Sequence, residues 1–392
     1  MTSTSIDWSD TARQLAFAGW LAAIAGPHRL QADSVRLASA DASFRRYFRV
    51  DGLDASGTFI IMDAPPAQEN CAPFVQVAEL MRGAGVQAPR VLAWDEALGF
   101  MLLSDLGAQT MMDAINPPAA VDAIAQPRDA DHALYLQAVD VLLQWQLASR
   151  PGVLPPYDDA LLSRELAFFP DWYVAKHRSI VMTAGQQATL HHAFEQIKAS
   201  SLNSLGGAQV FVHRDFMPRN LMMLNSDSGR GRSAGPPQAR PAPTSREGGS
   251  DSPKAHAVGN VGVLDFQDAV YGPITYDIAS LMRDAFLSWD EDFVLDVTVR
   301  YWQQARQAGL PVGDDFGEFY RAVEWMGLQR HLKILGIFAR LTLRDGKPKY
   351  LADTPRFMRY ARATCSRYRP LGPLMVLLDE IEGNETRVGY TF

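Results

Sequence analysis

Val212-His213-Arg214-Asp215-Phe216-Met217-Pro218-Arg219-Asn220 and, further on, Val263-Leu264-Asp265-Phe266-Gln267-Asp268 are the stretches around which this chain is organised. Residues 209–212 form a short apolar run that predicts a buried strand delivering His213-x-Asp215 into a loop. Apolar residues resume over 221–224 after Asn220, and a further apolar strand over 260–264 ends on Asp265. Asp215, Asn220 and Asp265 are therefore expected at strand ends, where a rigid sheet can hold them close together. One carboxylate to accept a hydroxyl proton, with an amide and a second carboxylate to hold Mg²⁺, is the set that phosphoryl transfer needs. The protein's task in that reaction is positioning and charge stabilisation. A lone His-x-Asp is usually a turn, and a lone Asp-Phe-Gln-Asp a solvated loop. Their order, each leaving a strand and followed by Tyr276-Asp277-Ile278-Ala279, makes the combination specific. It points to an ATP-dependent phosphoryl-transfer site.

A chain of 392 residues can bury a large core and is expected to form two lobes. Its 37 basic and 44 acidic residues leave it mildly negative, which argues against a general nucleic-acid binder. The two cysteines, Cys71 and Cys365, lie far apart without metal-ligand spacing, as free thiols in a reducing compartment would. The first ten residues lack the basic start and apolar core of a signal peptide, and no apolar run approaches bilayer-spanning length. A cytoplasmic enzyme is expected, with no membrane association and no obligate protein partner evident.

Residues 7–24 predict a helix with Leu15, Trp20, Leu21 and Ile24 on one face, stopped by Gly26-Pro27. Strands are expected over 34–37, 44–50 and 58–62, with Ser39-Ala40-Asp41-Ala42-Ser43 as the first turn. This turn stands where a glycine-rich loop would cover the phosphates of ATP. It contains no glycine, so any contact would use Ser43 and backbone N–H groups. A helix over 74–81 carries Glu79, and two more strands follow at 91–94 and 100–103. Leu103-Ser104-Asp105-Leu106-Gly107 then reads as a hinge. Five strands with one helix, followed by a long helical remainder, predict an α+β chain. Its small β-rich lobe (1–105) and large mainly helical lobe (106–392) would enclose the nucleotide between them.

In the second lobe, helices are expected over 132–147 (Leu136, Val139, Leu143 and Leu147 inward), 161–175 and 276–286, with Thr183 capping another. Residues 225–259 are rich in Ser, Gly, Pro and Arg and nearly devoid of large apolar residues, which predicts a disordered hairpin tip. Residues 327–343 predict a long helix in which Arg330, His331 and Lys333 interrupt apolar positions. Their charge density makes an anionic ligand plausible there.

With these residues in hand, the chain resembles the aminoglycoside phosphotransferase-like kinases, small-molecule relatives of the protein kinases. The likeness rests on residues 41–49, 62–66, 213–220, 265–269 and 327–333, and covers nearly everything outside 225–259. Within that family it is most similar to kinases that phosphorylate the anomeric hydroxyl of N-acetylmuramate and N-acetylglucosamine in bacterial cell-wall recycling. The resemblance implies a two-lobed protein-kinase-like fold using ATP and Mg²⁺ on an amino-sugar substrate. Asp215 would be the base, His213 would fix its loop, and Asn220 and Asp265 would bind the metal. Asp277 would brace the loop, and Ser104, Asp105 and Leu106 would offer backbone groups to adenine. Glu165, Asp268, Arg330 and Lys333 would face the sugar.

One departure stands out. The kinase pattern wants a third-strand lysine paired with a helix glutamate, and this chain has Met62 there, with Glu79 lacking an evident partner. Arg45 or Arg46 on the neighbouring strand is expected to supply the missing charge. Two alternatives stay open: a kinase of another small alcohol, aminoglycoside or choline-like, and a nucleotide-binding pseudokinase acting as an interaction module.

Overall fold

Helix α1 (Thr11–Ala25) precedes strands β1 (Leu30–Ala40), β2 (Arg46–Gly52) and β3 (Thr58–Asp63); α2 (Ala72–Gly83), β4 (Val91–Asp95) and β5 (Phe100–Ser104) follow. The computed structural model describes residues 6, 8, 10–40, 44–53, 57–117, 123–224 and 260–384. The five strands form one antiparallel sheet in the order β1-β2-β3-β5-β4. Successive residues of a strand face opposite sides, and here both sides are covered. Phe48, Val50, Ile61, Phe100 and Leu102 pack under Phe17, Trp20 and Leu21 of α1. Met62, Met101 and Leu103 pack against Phe74, Val77 and Met81 of α2. Two-sided burial explains the unbroken run Phe59-Ile60-Ile61-Met62, each fully buried side chain contributing about 1.5–3 kcal/mol.

Two expectations fail for geometric reasons. Leu15 is 69% exposed, because it lies two positions before Phe17 and so roughly 200° around the helix. Strand β1 is longer than its apolar content suggests: it is an edge strand broken by register shifts, with polar residues facing water.

The second part is mainly helical. It runs through α3 (Met111–Ile115), α4 (Asp129–Leu147), α5 (Asp159–Phe168) with a wider π-helical extension (Phe169–His177), and α6 (Ala184–Asn203). Strands β6 (Gln209–Val212), β7 (Leu221–Met223), β8 (Val261–Val263) and β9 (Val270–Pro273) follow. Helices α7 (Thr275–Met282), α8 (Glu291–Gln307), α9 (Phe316–Leu343), α10 (Thr354–Arg367) and α11 (Gly372–Glu382) complete it. Thr183 caps α6 through a reciprocal bond with Gln186, as its sequence predicts. In α4, Val139 and Leu143 are buried as expected, Leu147 is half exposed, and Tyr135, Ala138 and Leu142 are buried beside them.

Helix α9 is the axis of this lobe, touching α5, α6, α7 and α10. Every residue from Ala322 to Lys333 is buried, and a helix buried all round is a core element. Gly336 permits its closest approach: a Cβ there would stand 2.1 Å from the carbonyl oxygen of Phe168.

Strands β7 and β8 pair as the expected antiparallel hairpin, and the Leu224 N–H donates to the Asn260 carbonyl at 3.0 Å. Residues 225–259, expected to be disordered, lie outside the described residues. Because the hairpin brings their ends together, a short Gly-Ser turn in place of 227–257 should leave kcat and both KM values within about twofold. Loop length changes closure by only about 0.6 kcal/mol per doubling. A tenfold loss on steady-state assay would instead give the insert a part in turnover.

Candidate active site

Strand β6, paired with β9, carries His213 into the loop. Asp277, in the first turn of α7, receives the backbone N–H groups of His213 (2.7 Å) and Arg214 (2.9 Å). That double grip holds Arg214 at φ 79°, a left-handed conformation that costs a non-glycine residue about 1–3 kcal/mol. His213 is buried; its Nδ1 accepts the Asp215 N–H (3.2 Å), so its Nε2–H donates to the Leu264 carbonyl (2.9 Å). Burial lowers its pKa and keeps it neutral, so this imidazole is a strut between two loops rather than a proton carrier.

Leu264 leads into Asp265, itself at φ 62°. The Asn220 amide donates to the Asp215 carbonyl at 2.9 Å and approaches Asp265 Oδ2 at 3.4 Å, while the Leu264 N–H donates to the Asn220 carbonyl at 2.9 Å. Gln267 donates to Asp265 Oδ1 at 2.9 Å. The three strand-end residues thus meet, with Asn220 touching both others. Burial alone would raise the Asp215 pKa; Lys333, Arg330 and Arg214 outweigh it and hold the carboxyl below its ordinary value.

Those cations form a buried network. Glu165 accepts from Arg214, Lys333 (3.0 Å), Gln329 (2.9 Å) and Tyr157 (2.6 Å). Burial would raise its pKa, but Lys333 and Arg214 prevail and bring it to about 2. Lys333 also donates to Tyr276. Arg330 donates to the Arg214 carbonyl and to Ser280. Glu165, Arg330 and Lys333, expected at the sugar, are instead engaged with one another's neighbours and fix the catalytic loop. With Glu165 and Asp277 facing Arg214, Arg330 and Lys333, one positive charge is left for Asp215. Asp268 is exposed, and its backbone carbonyl accepts from Arg214 (3.3 Å).

On the nucleotide side, Ser104 accepts the Arg90 N–H (2.9 Å), and the Asp105 carboxylate takes Arg49, Thr58 and the Gly107 N–H. Both side chains therefore shape the hinge and leave only backbone for a base. Leu106 lies over Gly262 of β8, where a Cβ would meet its Cδ1 at 2.8 Å. Ser43 lies outside the described residues.

Glu79 is corrected: it is exposed on α2 and pairs with Arg82 three residues on. Met62 is fully buried beneath α2, so the third-strand lysine position belongs to the core. Arg45 pairs with Glu69, and Arg46 joins Arg13 on Asp63, which is wholly buried. Arg45 is thus matched one to one, while Arg46 and Arg13 share a single carboxylate and leave one positive charge over. Arg46→Ala should therefore cost about 1–3 kcal/mol in urea unfolding, by stripping a partner from a buried carboxylate. The ATP KM should move less than threefold; a sharp rise would mean that Arg46 leaves Asp63 for phosphate.

Sequence reasoning missed Asp284, which follows α7 with no periodic signal to mark it. It is 1% exposed, one carboxylate oxygen has no hydrogen-bond partner among the described residues, and burial pushes it up to about 6 despite Arg356 and Arg219. Arg219, in the catalytic loop, lies 4.2 Å over the Phe286 ring.

An ionised aspartate beside two oxygen donors, held by strained loops between a sheet and a helical lobe, is how small-molecule kinases are built. The chain belongs to the phosphotransferase enzyme family, whose model matches residues 34–233 and 256–314. It is 45% identical over 341 residues to the N-acetylmuramate/N-acetylglucosamine kinase of Pseudomonas aeruginosa, covering 87% of this chain and 86% of that protein. To the protein of that name from Neisseria meningitidis serogroup B it is 42% identical over 381 residues, covering 97% and 99%. The solved structure of a putative aminoglycoside phosphotransferase from Ralstonia eutropha has the same fold, with TM-score 0.56, 13% identity, and coverage of 95% and 99%. No helix among the described residues is long and apolar enough to cross a membrane.

Proposed function

We propose that this chain is an ATP-dependent kinase that transfers the γ-phosphoryl group to the anomeric hydroxyl of N-acetylmuramate, N-acetylglucosamine or both. The observation that carries the reading is Asn220, bonded to the Asp215 backbone and lying beside the Asp265 carboxylate. It supports one constellation in which Asp215 orients the acceptor hydroxyl and takes its proton, forming the sugar 1-phosphate and ADP. An anomeric hydroxyl is more acidic than an ordinary alcohol, so a weakly basic carboxylate suffices. Names and identities of the two relatives support the choice of sugar.

The hard oxygen donors Asn220 Oδ1 and the Asp265 carboxylate fit Mg²⁺, which takes few protein ligands and leaves the rest to phosphate and water. Bound there, it would neutralise the β- and γ-phosphate oxygens. Arg330, Lys333 and Arg214 contribute fixed positive charge on the acceptor side, which suits an anionic transferring group and disfavours cationic acceptors such as choline or aminoglycosides. We assign nucleotide covering to residues 1–105, catalysis and acceptor binding to 106–392, and a cytoplasmic setting, where ATP is available.

ADP release measured with each candidate acceptor tests the reading, together with loss of reducing-end reactivity in the product. ADP release with both sugars inert, or a product that still reduces, would overturn it.

A further inference from the structure

The catalytic loop carries two arginines, and only one of them is tied down. Arg214 is bonded to Glu165 and to the Asp268 carbonyl. Arg219, four residues beyond Asp215, is exposed, and its guanidinium makes no hydrogen bond or ion pair among the described residues. Arg330 and Lys333, expected to meet an anionic part of the acceptor, are buried and committed to the Arg214 carbonyl, Ser280, Glu165 and Tyr276. Arg219 is the cation of this loop whose donors stay open to a ligand.

What the side chain does touch is Phe286, with its guanidinium carbon 4.2 Å over the ring centre. That shelf is fixed. The Phe286 N–H donates to Asp284 Oδ1 at 2.9 Å, and its ring packs 6.2 Å from that of Phe338, in the core cluster that also takes Met217 of the loop. A flat cation laid on an anchored ring keeps its edges free. It also has little rotamer freedom left to lose when a ligand arrives. Two acids, Asp284 and Asp353, feel its charge. Burial is the largest influence on both, and Arg356 acts on each more strongly than Arg219 does. Arg356 also stands 3.9 Å from Asp353. Two guanidiniums thus face two carboxyls, and neither acid bonds Arg219.

The loop brings this arginine to the reacting end of the site. Pro218 to Asn220 form one 3₁₀ turn, closed by the Asn220 N–H on the Met217 carbonyl at 2.8 Å. The Asn220 amide donates to the Asp215 carbonyl at 2.9 Å, so the loop folds back and sets Arg219 beside the residue that meets the acceptor. An extended arginine carries its guanidinium about 7 Å from its Cα. In N-acetylmuramate the lactyl carboxylate hangs about 6 Å from the anomeric oxygen. The two spans are commensurate.

We propose that Arg219 receives the lactyl carboxylate of N-acetylmuramate and sets the preference between that acceptor and N-acetylglucosamine, which lacks the group. The proposal rests on the kinase reading above and deepens it. A planar fork of donors matches a carboxylate, and Phe286 holds the fork in place. N-acetylglucosamine leaves the guanidinium in water, so one site takes both sugars.

The test compares wild type with Arg219→Gln and Arg219→Lys, using N-acetylmuramate, its lactyl methyl ester and N-acetylglucosamine. The ratio of kcat/KM for N-acetylmuramate to that for N-acetylglucosamine should fall at least about tenfold in Arg219→Gln, since charge-assisted forked contacts are the strong class of hydrogen bond. Arg219→Lys, which keeps the charge and loses the fork, should recover part of the ratio. Wild type should favour the free acid over the ester, and Arg219→Gln should treat the two alike. A loop merely loosened by the substitution would slow all three acceptors together. A ratio in Arg219→Gln within threefold of wild type overturns the proposal, whatever the absolute rates. An ester as good as the acid in wild type overturns it without any variant. Wild type active on N-acetylglucosamine alone overturns it too and leaves the kinase reading standing, whereas wild type inert toward both sugars overturns that reading itself.

Discussion

Asp215→Ala is expected to lower kcat by at least a hundredfold, the lower end of what a positioned acid–base group contributes, while ATP affinity changes less than about threefold. The asymmetry follows from where the residue sits. Its backbone is bonded to His213 and Asn220, so truncating the side chain leaves the loop and the Asn220–Asp265 contact in place. What disappears is the carboxylate that meets the acceptor. Because Lys333, Arg330 and Arg214 hold Asp215 below the ordinary carboxylate range, it is a weak base. Weak basicity suits a loose phosphoryl-transfer transition state, in which the acceptor proton leaves late. The acid limb of kcat should accordingly lie below the usual carboxylate range, and a limb near pH 6 would belong to another group. Asp215→Asn keeps the shape and loses the proton acceptor, so it should match alanine. Steady-state kinetics with a fluorescent-nucleotide titration decide the matter. A variant retaining more than a few per cent of wild-type kcat would remove Asp215 from the role of base.

The parts of this site that could be read from sequence are those whose partners lie along short strands. His213, Asp215 and Asn220 are separated by a few residues, and the strand periods on either side dictate that they emerge at the same edge. Asp265 joins them because β7 and β8 pair, as two apolar runs flanking a polar insert allow. Partner choice among charges was not legible in this way. Arg45 takes Glu69 rather than reaching phosphate, and Glu79 takes Arg82, because side-chain direction is set by packing around α2. Helix α9 misleads for a related reason. Its Arg330 and Lys333 look like a basic face awaiting an anion, but Lys333 pairs with Glu165, far away in sequence and brought in by α5, and Arg330 donates to the Arg214 carbonyl and Ser280. Local periodicity cannot distinguish a solvated charge from one compensated through the core. No pattern in the sequence marks helices α3, α8, α10 and α11, or strand β9.

Glu165→Gln should be the most damaging change outside the catalytic trio. It leaves Lys333 and Arg214 buried without their shared anion, and breaking a buried pair by removing one partner costs about 3–5 kcal/mol. The pH dependence gives this expectation a sign. The Glu165 carboxyl is held at about 2 in the folded chain, against 4.5 for an unperturbed glutamate. A depressed carboxyl contributes stability that is complete above the unfolded pKa and is lost as pH falls through the folded one. Wild type should therefore lose about 3 kcal/mol between pH 5 and pH 2 through this residue alone. Urea unfolding of both proteins across that range isolates the effect: the gap between wild type and Glu165→Gln should be widest at pH 5 to 7 and narrow steadily below pH 4. A gap independent of pH would mean that Glu165 is not ionised in the fold, and the network beside Asp215 would lose its anchor. The loop should register the change too, since Arg214 holds φ 79° with its side chain tethered to Glu165. A slack tether should lower kcat well before it alters ATP KM. Adding Lys333→Met should then recover part of the stability, because a buried cation without its partner is worse than an apolar side chain of similar length.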